Sequence, residues 1–527
     1  MILTRAFFDP ALVFLASLGL VTALITAWTV RGAYTLRKPD LGDAGQLFGS
    51  ILVSAIAAYV ITAQLQGTLA ITALVLLTCL ATRILLPRLT IAGSITMSLP
   101  LLFLLVSVPW TFLLLRELSF PIWMRALCLA GLLLSLAGFG FSFAGKLARQ
   151  ALFTHATWRR PTHPLIGSTS LERPMVSVQL ACYSEPPELV MATMDRLARL
   201  DYPNFEVMIC DNNTEDEALW RPLEQHCAHL NQRAGIERFR FFHVAPIAGA
   251  KAGALNFCLT QMAPEAELVA VIDADYLSRP DFLSRLVGFF ENPAIGYVQT
   301  PHDYRSFEDS PYLRSCYWEY MPSNKVDMAG VSEYDAAFTI GTMCLIRTAA
   351  LRQAGGWAEW CLTEDSEVSV RIRALGYEGV YIRETFGKGL IPERFDDYKK
   401  QRFRWTAGPV QQLRKHWRLF LPSLPGSTST MGGWSKLLEV QRSVAPLQTL
   451  LGLIMSLGFG LIMAIAIATN SIPRFELPDV AWFSIITAAM AAAVAKWHRY
   501  RISGCTRIID MLGGELGTSK NLWHLRA

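Results

Sequence analysis

Charged residues are scarce in this sequence: they make up 17% of the 527 residues, whereas hydrophobic residues make up 52%. This balance excludes a wholly soluble protein, and the length excludes one ordinary domain. The net charge of +5 comes largely from Lys and Arg beside apolar stretches, which favours membrane topology over nucleic-acid binding. We therefore expect a membrane protein without a nucleic-acid partner.

Several common site signatures are also absent. The ten cysteines form no CxxC pair and no cluster with histidine, which excludes a cysteine-based zinc site and a disulfide framework. Most of these thiols are expected to be small buried side chains in a reducing compartment. The Gly-Lys-Ser/Thr of a Walker loop and the dinucleotide fingerprint are missing as well.

Seven apolar stretches have about the length that a helix needs to cross a bilayer. Basic residues follow the first, third, fifth and seventh, so the positive-inside rule predicts an external N-terminus and a cytoplasmic middle region and C-terminus. The predicted stretches lie near residues 11–30, 46–63, 68–86, 92–115, 120–143, 443–469 and 479–495. The predicted domains are five spans in 1–148, a cytosolic domain in 149–440 that ends in interfacial amphipathic helices, two spans in 441–496 and a cytosolic tail in 497–527.

The middle region alternates strand-like and helix-like runs, which is typical of a mostly parallel sheet with helices on both faces. Strands are predicted at 175–182, 205–210, 238–244 and 268–272, and helices at 188–200 and 251–262. Open sheets of this class place their ligands beyond the carboxyl ends of the strands. The residues that follow each predicted strand are therefore the first candidates for a site.

The last of these strands ends on two carboxylates, Asp273 and Asp275. Two carboxylates in this spacing can share a divalent cation, and their hard oxygen ligands suit Mg²⁺ or Mn²⁺. Two aspartates that form a turn or cap the next helix explain the pair equally well. Tyr183, Glu185 and Asp211 follow other predicted strands and would lie at the same sheet edge, although each alone is typical of a turn.

Three further stretches carry candidate residues. Glu364 and Asp365 precede a helical run, where they either cap the helix or include a general base for an attacking hydroxyl. Lys251 lies where a glycine-containing loop enters a helix, a place that suits a diphosphate. The run from Gln401 to Trp405 begins a basic, aromatic helix that either lies on the membrane surface or offers a stacking floor for a sugar.

Taken together, these motifs resemble in order and spacing the processive family 2 glycosyltransferases, which include bacterial cellulose synthase, curdlan synthase and the cyclic β-glucan synthases. The likeness covers residues 172–420, and the phrases Asp201-Tyr-Pro-Asn and Gly355-Gly-Trp-Ala-Glu-Trp360 resemble the β-glucan branch. The motifs are Tyr183-Ser-Glu185-Pro, Asp211-Asn-Asn-Thr, Ala250-Lys251-Ala-Gly, Asp273-Ala-Asp275, Gln299-Thr-Pro301, Thr363-Glu-Asp365 and Gln401-Arg-Phe-Arg404-Trp405.

The resemblance implies an α/β cytosolic domain of the GT-A type, Rossmann-like, inserted between transmembrane helices. It implies a UDP-sugar donor, first of all UDP-glucose, a Mg²⁺ or Mn²⁺ ion held by Asp273 and Asp275, and transfer with inversion. Asp365 would be the catalytic base, with Glu364 beside it. Donor and acceptor would be bound by Tyr183, Glu185, Asp211, Lys251, Gln299, Gln401, Arg404 and Trp405.

The leading expectation is thus a β-glucan synthase of the bacterial inner membrane, surrounded by membrane lipids, with a glucan acceptor and with export partners or oligomers left open. One alternative is a lipid glycosyltransferase of the ceramide-glucosyltransferase type, which adds one sugar to a membrane lipid. Another is a non-catalytic nucleotide-sugar sensor or assembly subunit. A sensor of that kind is expected to lose a metal or base carboxylate, and this sequence retains all of them.

Overall fold

The structure is a computed structural model of the chain. It describes residues 5–30, 41–117, 121–161, 163, 173–422, 429–468 and 478–520. The basic loop predicted after the first apolar stretch lies outside these residues. The chain divides into two compact units: one comprises the residues up to Arg159 and those from Leu447 to Ile508, and the other comprises Arg160–Pro446 and the residues after Ile508.

The N-terminal part of the first unit is helical. Its first helix packs against the second, third and fourth and is buried along most of the stretch from Phe8 to Leu18. Within this apolar packing, the indole Nε1 of Trp110 donates a hydrogen bond of 2.8 Å to the carboxylate of Asp9. The helices are α1 (Arg5–Thr29), α2 (Leu41–Thr62), α3 (Leu65–Leu85), α4 (Ile91–Glu117), α5 (Ile122–Arg149) and α6 (Ala151–Thr154).

The second unit contains a seven-stranded mixed sheet with the strand order β3-β2-β1-β4-β7-β6-β8. Only β7 runs antiparallel to its neighbours in this sheet, and β5 and β9 pair separately. The strands are β1 (Met175–Cys182), β2 (Phe205–Asn212), β3 (Phe239–Val244), β4 (Ala266–Asp273), β5 (Leu277–Ser278), β6 (Ile295–Gln299), β7 (Cys344–Arg347), β8 (Glu378–Tyr381) and β9 (Gly387–Lys388). The prediction of a mostly parallel sheet is confirmed.

Helices cover both faces of this sheet. Along β4, Leu268, Ala270 and Ile272 belong to one apolar layer, whereas Val269 and Val271 belong to the opposite layer. A strand that is buried on both faces explains why its sequence is continuously apolar. The helices are α7 (Pro187–Leu197), α8 (Glu217–Ala234), α9 (Ala250–Gln261), α10 (Phe282–Leu286), α11 (Pro311–Pro322), α12 (Met328–Glu333), α13 (Thr348–Gln353), α14 (Glu364–Ala374) and α15 (Phe395–His416).

Three further helices follow among the residues that the structure describes: α16 (Gly433–Ala468), α17 (Asp479–Ile502) and α18 (Ile508–Lys520). Among the described residues, six helices are long and apolar enough to cross a membrane, namely α1 to α4, α16 and α17. The fifth predicted span falls in α5, where the described apolar segment runs from Ile122 to Leu134. The chain thus has several candidate membrane helices around an α/β unit, and their orientation stays a prediction.

The cysteines have the environment that the sequence predicted. All ten are free thiols, and nine of them are buried; only Cys128 is half-buried. Burial raises the pKa of Cys227 to about 12 and that of Cys344 to about 12. These two thiols therefore stay protonated and behave as small apolar side chains.

Candidate active site

The carboxyl ends of β1, β2 and β4 lie side by side. Cys182, the last residue of β1, is level with Asp211 of β2, and Ala181 is level with Asp273 of β4. Because the three strands are parallel, the polar residues that follow them share one edge of the sheet. The structure therefore brings the predicted strand-end residues to the same edge.

The aspartate pair at the end of β4 has two different environments. Asp273 forms an ion pair with Lys251, and its backbone N–H donates to Thr342 Oγ1 at 3.0 Å. Asp275 Oδ2 accepts a hydrogen bond of 2.6 Å from the backbone N–H of Leu390. Burial raises the pKa of Asp275 to about 6, and the negative charge of Asp273 adds to the rise.

This pair fits a divalent cation. Its carboxylate oxygens are hard ligands, and a cation between them would offset the repulsion that raises the pKa of Asp275. In the part of the chain that the structure describes, no group of three or more His, Cys, Asp or Glu side chains could hold a metal. A Mg²⁺ ion on this pair would therefore take its remaining ligands from water and from substrate phosphates, as Mg²⁺ commonly does.

Lys251 links the aspartate pair to the second acidic pair. Its Nζ also donates a hydrogen bond of 2.8 Å to the carbonyl of Gly341. Burial lowers the pKa of Lys251, but Asp273, Glu364 and Asp365 outweigh it and raise the pKa above its usual value. The ammonium is thus charged and lies among carboxylates.

Gly341 lies where these groups meet. It has φ of +83°, and a Cβ atom there would be 2.9 Å from Asp365 Oδ2 and 3.4 Å from Lys251 Nζ. A side chain at this position would be strained by the backbone and would fill the space between the cation and the carboxylate. The close approach requires glycine.

Glu364 and Asp365 are the first two residues of α14. The backbone N–H of Ser366 donates to Asp365 Oδ1 at 2.7 Å. Burial raises the pKa of Asp365 to about 7, and the charge of Glu364 adds to the rise. Burial also raises the pKa of Glu364, although the cations Lys251 and Arg404 oppose it. A carboxyl group that titrates near neutral pH is suited to general-base catalysis.

The predicted acceptor residues lie on α15. Trp405 packs edge-on against Tyr320, with ring centroids 5.6 Å apart, and lies 6.3 Å from the ring of His302. The hydroxyl of Tyr320 also donates to Gln401 Oε1 at 3.0 Å. Arg404 is exposed. Gln401 and Trp405 are therefore fixed by a common aromatic neighbour, whereas Arg404 is exposed and its charge acts on Glu364.

Tyr183 and Glu185 directly follow the end of β1. Tyr183 is 58% exposed, and its backbone N–H donates to the carboxylate of Glu185. Burial raises the pKa of Glu185 to about 7, and the charges of Asp211 and Asp273 add to the rise. Hydrogen bonds from backbone N–H groups act in the opposite direction and lower the pKa. The exposure of Tyr183 is compatible with the predicted contact to a nucleoside.

Two predicted substrate contacts have internal partners instead. Asp211 is buried and accepts hydrogen bonds from Thr214 Oγ1 at 2.7 Å and from His243 Nδ1 at 2.9 Å. Gln299 is also buried; its Nε2 donates to the carbonyl of Thr342 at 2.8 Å, and its Oε1 accepts from the N–H of Ile340. Both side chains brace loops of the site, and their contact with a substrate stays a prediction.

Three residues in the surroundings of Trp405 were not predicted from the sequence: Arg402, Glu319 and His302. Arg402 forms a buried ion pair with Glu319, and its guanidinium lies over the rings of Tyr320 and Trp405. His302 directly follows the Gln-Thr-Pro motif, and this position in the sequence could have indicated that it lies in the site. Burial lowers the pKa of His302 to about 4, although Asp273 opposes it, so this ring is neutral. No local pattern pointed to the pairing of Arg402, because Glu319 is remote in sequence.

Comparison with sequence families agrees with this arrangement. Residues 177–355 match the family described as Glycosyl transferase family 2, and residues 268–495 match the one described as Glycosyl transferase family group 2. Residues 177–355 are thus similar in sequence to family 2 glycosyltransferases. The sheet of the second unit, with helices on both faces, has the GT-A fold that the resemblance implied.

Curated relatives include plant enzymes. Probable glucomannan 4-beta-mannosyltransferase 7 of Oryza sativa subsp. japonica is 28% identical over 286 residues, which are 52% of this chain and 48% of the relative. Glucomannan 4-beta-mannosyltransferase 1 of Cyamopsis tetragonoloba is 29% identical over 254 residues, 47% of each chain. This chain is homologous to these proteins and spans about half of their length.

Solved structures also resemble the chain. The mannosyltransferase PcManGT from Pyrobaculum calidifontis, solved in complex with GDP-Man and Mn²⁺, has a TM-score of 0.44 and 20% sequence identity. The alignment covers 75% of this chain and 98% of that one.

Proposed function

We propose that this chain is a membrane-bound glycosyltransferase that moves a hexosyl group from a nucleotide sugar to a hydroxyl group of a growing β-linked glycan, with inversion. One observation carries the proposal. The Lys251–Asp273 ion pair and the carboxylate of Asp365 meet at Gly341, so that an ammonium group, a carboxylate at a strand end and a second carboxyl group with a pKa of about 7 lie together.

The groups have complementary tasks. Asp365 takes the proton of the acceptor hydroxyl, whose oxygen attacks the anomeric carbon. The bond between that carbon and the diphosphate breaks, and the nucleoside diphosphate leaves with the electron pair. Lys251 lies where its charge opposes the negative charge that develops on the leaving group. One displacement inverts the anomeric centre, so that an α-linked donor yields a β-linked product.

A divalent cation fits this scheme at Asp273 and Asp275, which would hold it beside Lys251. When bound, such an ion supplies additional positive charge for the diphosphate. The acceptor is expected on the other side of the site, where Trp405 offers an aromatic ring and Gln401 an amide. A flat ring of this kind suits the apolar face of a sugar.

The proposal can be made more specific by naming the sugar donor and the acceptor. UDP-glucose and a glucan acceptor are the expectation from the sequence motifs, with a bacterial inner-membrane location. A second candidate is mannosyl transfer from GDP-mannose, because the curated relatives are named glucomannan 4-beta-mannosyltransferases. A membrane lipid is the alternative acceptor.

The test offers both donors to the full chain in native membranes. Radiolabelled UDP-glucose and GDP-mannose are supplied in parallel with Mg²⁺ or Mn²⁺, and the product is separated by solvent extraction and by size. A high-mass glucose product that β-glucanases digest is expected. High-mass mannan supports the second candidate, and label that moves into the organic phase identifies a lipid acceptor. If the chain binds nucleotide but transfers sugar from neither donor, the result would contradict an enzyme and support a nucleotide-sugar sensor.

A further inference from the structure

The helix that carries Asp365 is held by two other helices, and we propose that Gln412 of α15, itself held by Arg442 of α16, is a positioning residue for Asp365. The inference rests on the proposed role of Asp365 as the base. It concerns residues that contact no substrate and that no sequence motif singled out. All the contacts that follow lie within the second unit.

Gln412 brackets the acidic pair. Its side chain is only 1% exposed, and its Nε2 donates to Thr363 Oγ1 at 2.9 Å and to Ser366 Oγ at 2.6 Å. Thr363 precedes Glu364, and Ser366 follows Asp365. Ser366 in turn donates its backbone N–H to the Asp365 carboxylate. One amide group therefore fixes the residues on both sides of the pair.

Thr363 is committed to this contact. It is the N-cap residue of α14, but its side chain caps none of the helix N–H groups, although capping is the usual task of a threonine there. Its hydroxyl accepts the bond from Gln412 instead. The Thr363 hydroxyl thus bonds α15 and not its own helix, as expected if this contact positions the start of α14.

The backbone of α15 also lies directly against Thr363. A Cβ atom at Gly408 would be 2.0 Å from Thr363 Oγ1, so this approach requires glycine. Gln401, Trp405, Gly408 and Gln412 succeed one another at intervals of four, three and four residues, which places them on one face of the helix. The same face of α15 that offers Trp405 to an acceptor thus holds the first turn of α14.

One hydrogen bond joins Gln412 to α16, and two ion pairs continue from there to the end of α14. Arg442 Nη2 donates to Gln412 Oε1 at 2.9 Å and to Glu439 Oε2 at 2.7 Å. The other oxygen of Glu439 pairs with Arg373, which is fully buried in the last turn of α14. The contacts therefore close a ring that runs from the start of α14 through α15 and α16 to the end of α14. Removing one member leaves a buried charge or polar group without its partner, which is costly.

Through this ring of contacts, α16 influences the position of the proposed base, Asp365. Glu439 and Arg442 lie in the N-terminal turns of α16, within the candidate membrane span Gly433–Ile462. The placement of the base thus depends on a helix that runs on into an apolar segment. We expect transfer to slow when the ring is opened, although the nucleotide-binding residues are untouched.

The first test compares Gln412→Leu with Gln353→Leu in the full chain. Gln353 is a matched control because it is an exposed glutamine with a single side-chain bond, to Tyr377. Gln412→Leu is expected to lower kcat by about 100-fold, the scale of a misplaced catalytic group, with unchanged nucleotide affinity by calorimetry. The acidic limb of its pH–rate profile should also move, because Asp365 changes its surroundings. A purely structural loss would lower the amount of active enzyme and leave that limb in place.

Further variants guard against a folding defect. Gln412→Glu keeps the size and the bond accepted from Arg442, but it can meet Thr363 and Ser366 only by accepting from their hydroxyls. Both contacts are then reversed and a buried charge is added, so kcat should still fall. Arg442→Lys should retain more activity than Arg442→Met, with Arg221→Lys, an exposed arginine on α8, as its control. Wild-type kcat and pH profile in Gln412→Leu or Gln412→Glu would contradict this inference alone. A wild-type chain that transfers no sugar would contradict the proposed function and the inference with it.

Discussion

The two acidic pairs of the site are held in different ways. Asp273 and Asp275 end a strand, and Asp275 is anchored by a backbone N–H at Leu390. Glu364 and Asp365 begin a helix whose first turn is fixed by the side chain of a remote glutamine on α15. Both pairs reach Lys251, the first by direct contact and the second through its charge.

The two acidic pairs therefore depend on different parts of the fold. The sheet register brings the first pair to the edge of the sheet, and contacts with Lys251 and Leu390 hold its carboxylates there. The second pair depends on α15 and α16, which follow it in sequence. We infer that substitutions at the first pair act through the ion and the donor, whereas substitutions at the second act on the chemical step.

The largest effect is expected for Asp365→Asn. Asparagine has the same shape but cannot take the acceptor proton, so kcat should fall by roughly 1000-fold, within the range of general-base catalysis. Nucleotide binding by calorimetry should stay as in the wild type, because the first pair is intact. Glu217→Gln, which removes an exposed carboxylate from the first turn of α8, serves as the control. Normal turnover of Asp365→Asn would remove this residue from its role.

The next effect is expected at the first pair. Asp275→Asn removes one charge from the proposed ion site, and a loss of about 3 kcal/mol of charge stabilisation corresponds to on the order of 100-fold in rate. A titration with Mn²⁺ or Mg²⁺ should show a higher metal requirement, and chelation should abolish wild-type transfer. Asp281→Asn, which removes a carboxylate paired with Arg279, should leave the titration unchanged. Metal-independent transfer by the wild type would overturn the ion site.

Much of the fold follows from local patterns. The strand ending at Asp273 was predicted because its side chains are apolar on both faces, and the structure buries both. Its aspartates were expected beside Tyr183 and Glu185, because parallel strands end at one edge. These conclusions need only the periodicity of the chain and the geometry of a sheet.

The rest depends on tertiary contacts that no short pattern encodes. Asp211 and Gln299 follow or end strands like the other candidates, yet His243, Thr214 and backbone groups around residue 340 occupy them. Likewise, the sequence could not show which arginine near Trp405 forms an ion pair with a buried carboxylate. Glu319 selects Arg402, and that choice is made by packing between distant helices.

A smaller effect is expected from a neighbour of the first pair. A Cβ atom at Gly389 would lie 2.2 Å from the Tyr276 ring and 2.9 Å from Asp275 Oδ2, so Gly389→Ala should displace the Leu390 N–H that holds Asp275. Metal affinity should fall roughly 10- to 100-fold, as it does when supporting contacts of a metal site are lost. At Gly432 a Cβ atom would meet nothing within 4 Å, which makes Gly432→Ala the control. Equal metal titrations of the two variants would show that this strand end tolerates movement.

The mildest test leaves the wild type intact and changes the pH. A base must be ionised to act, and burial with the charge of Glu364 raises the pKa of Asp365 to about 7. The rate should therefore fall about tenfold for each pH unit below that value and level off above it. Glu364→Gln removes the neighbouring charge, which lowers the pKa of Asp365, so its acidic limb should move to lower pH.

Glu185 must be separated from this result, because burial raises its pKa to about 7 as well. If Asp365 sets the limb, Glu185→Gln should change donor affinity and leave the limb of kcat in place, since kcat reports groups in the substrate complex. A limb that disappears in Glu185→Gln and stays fixed in Glu364→Gln would assign it to the end of β1. The pH profile thus distinguishes titration at the strand end from titration at the helix start.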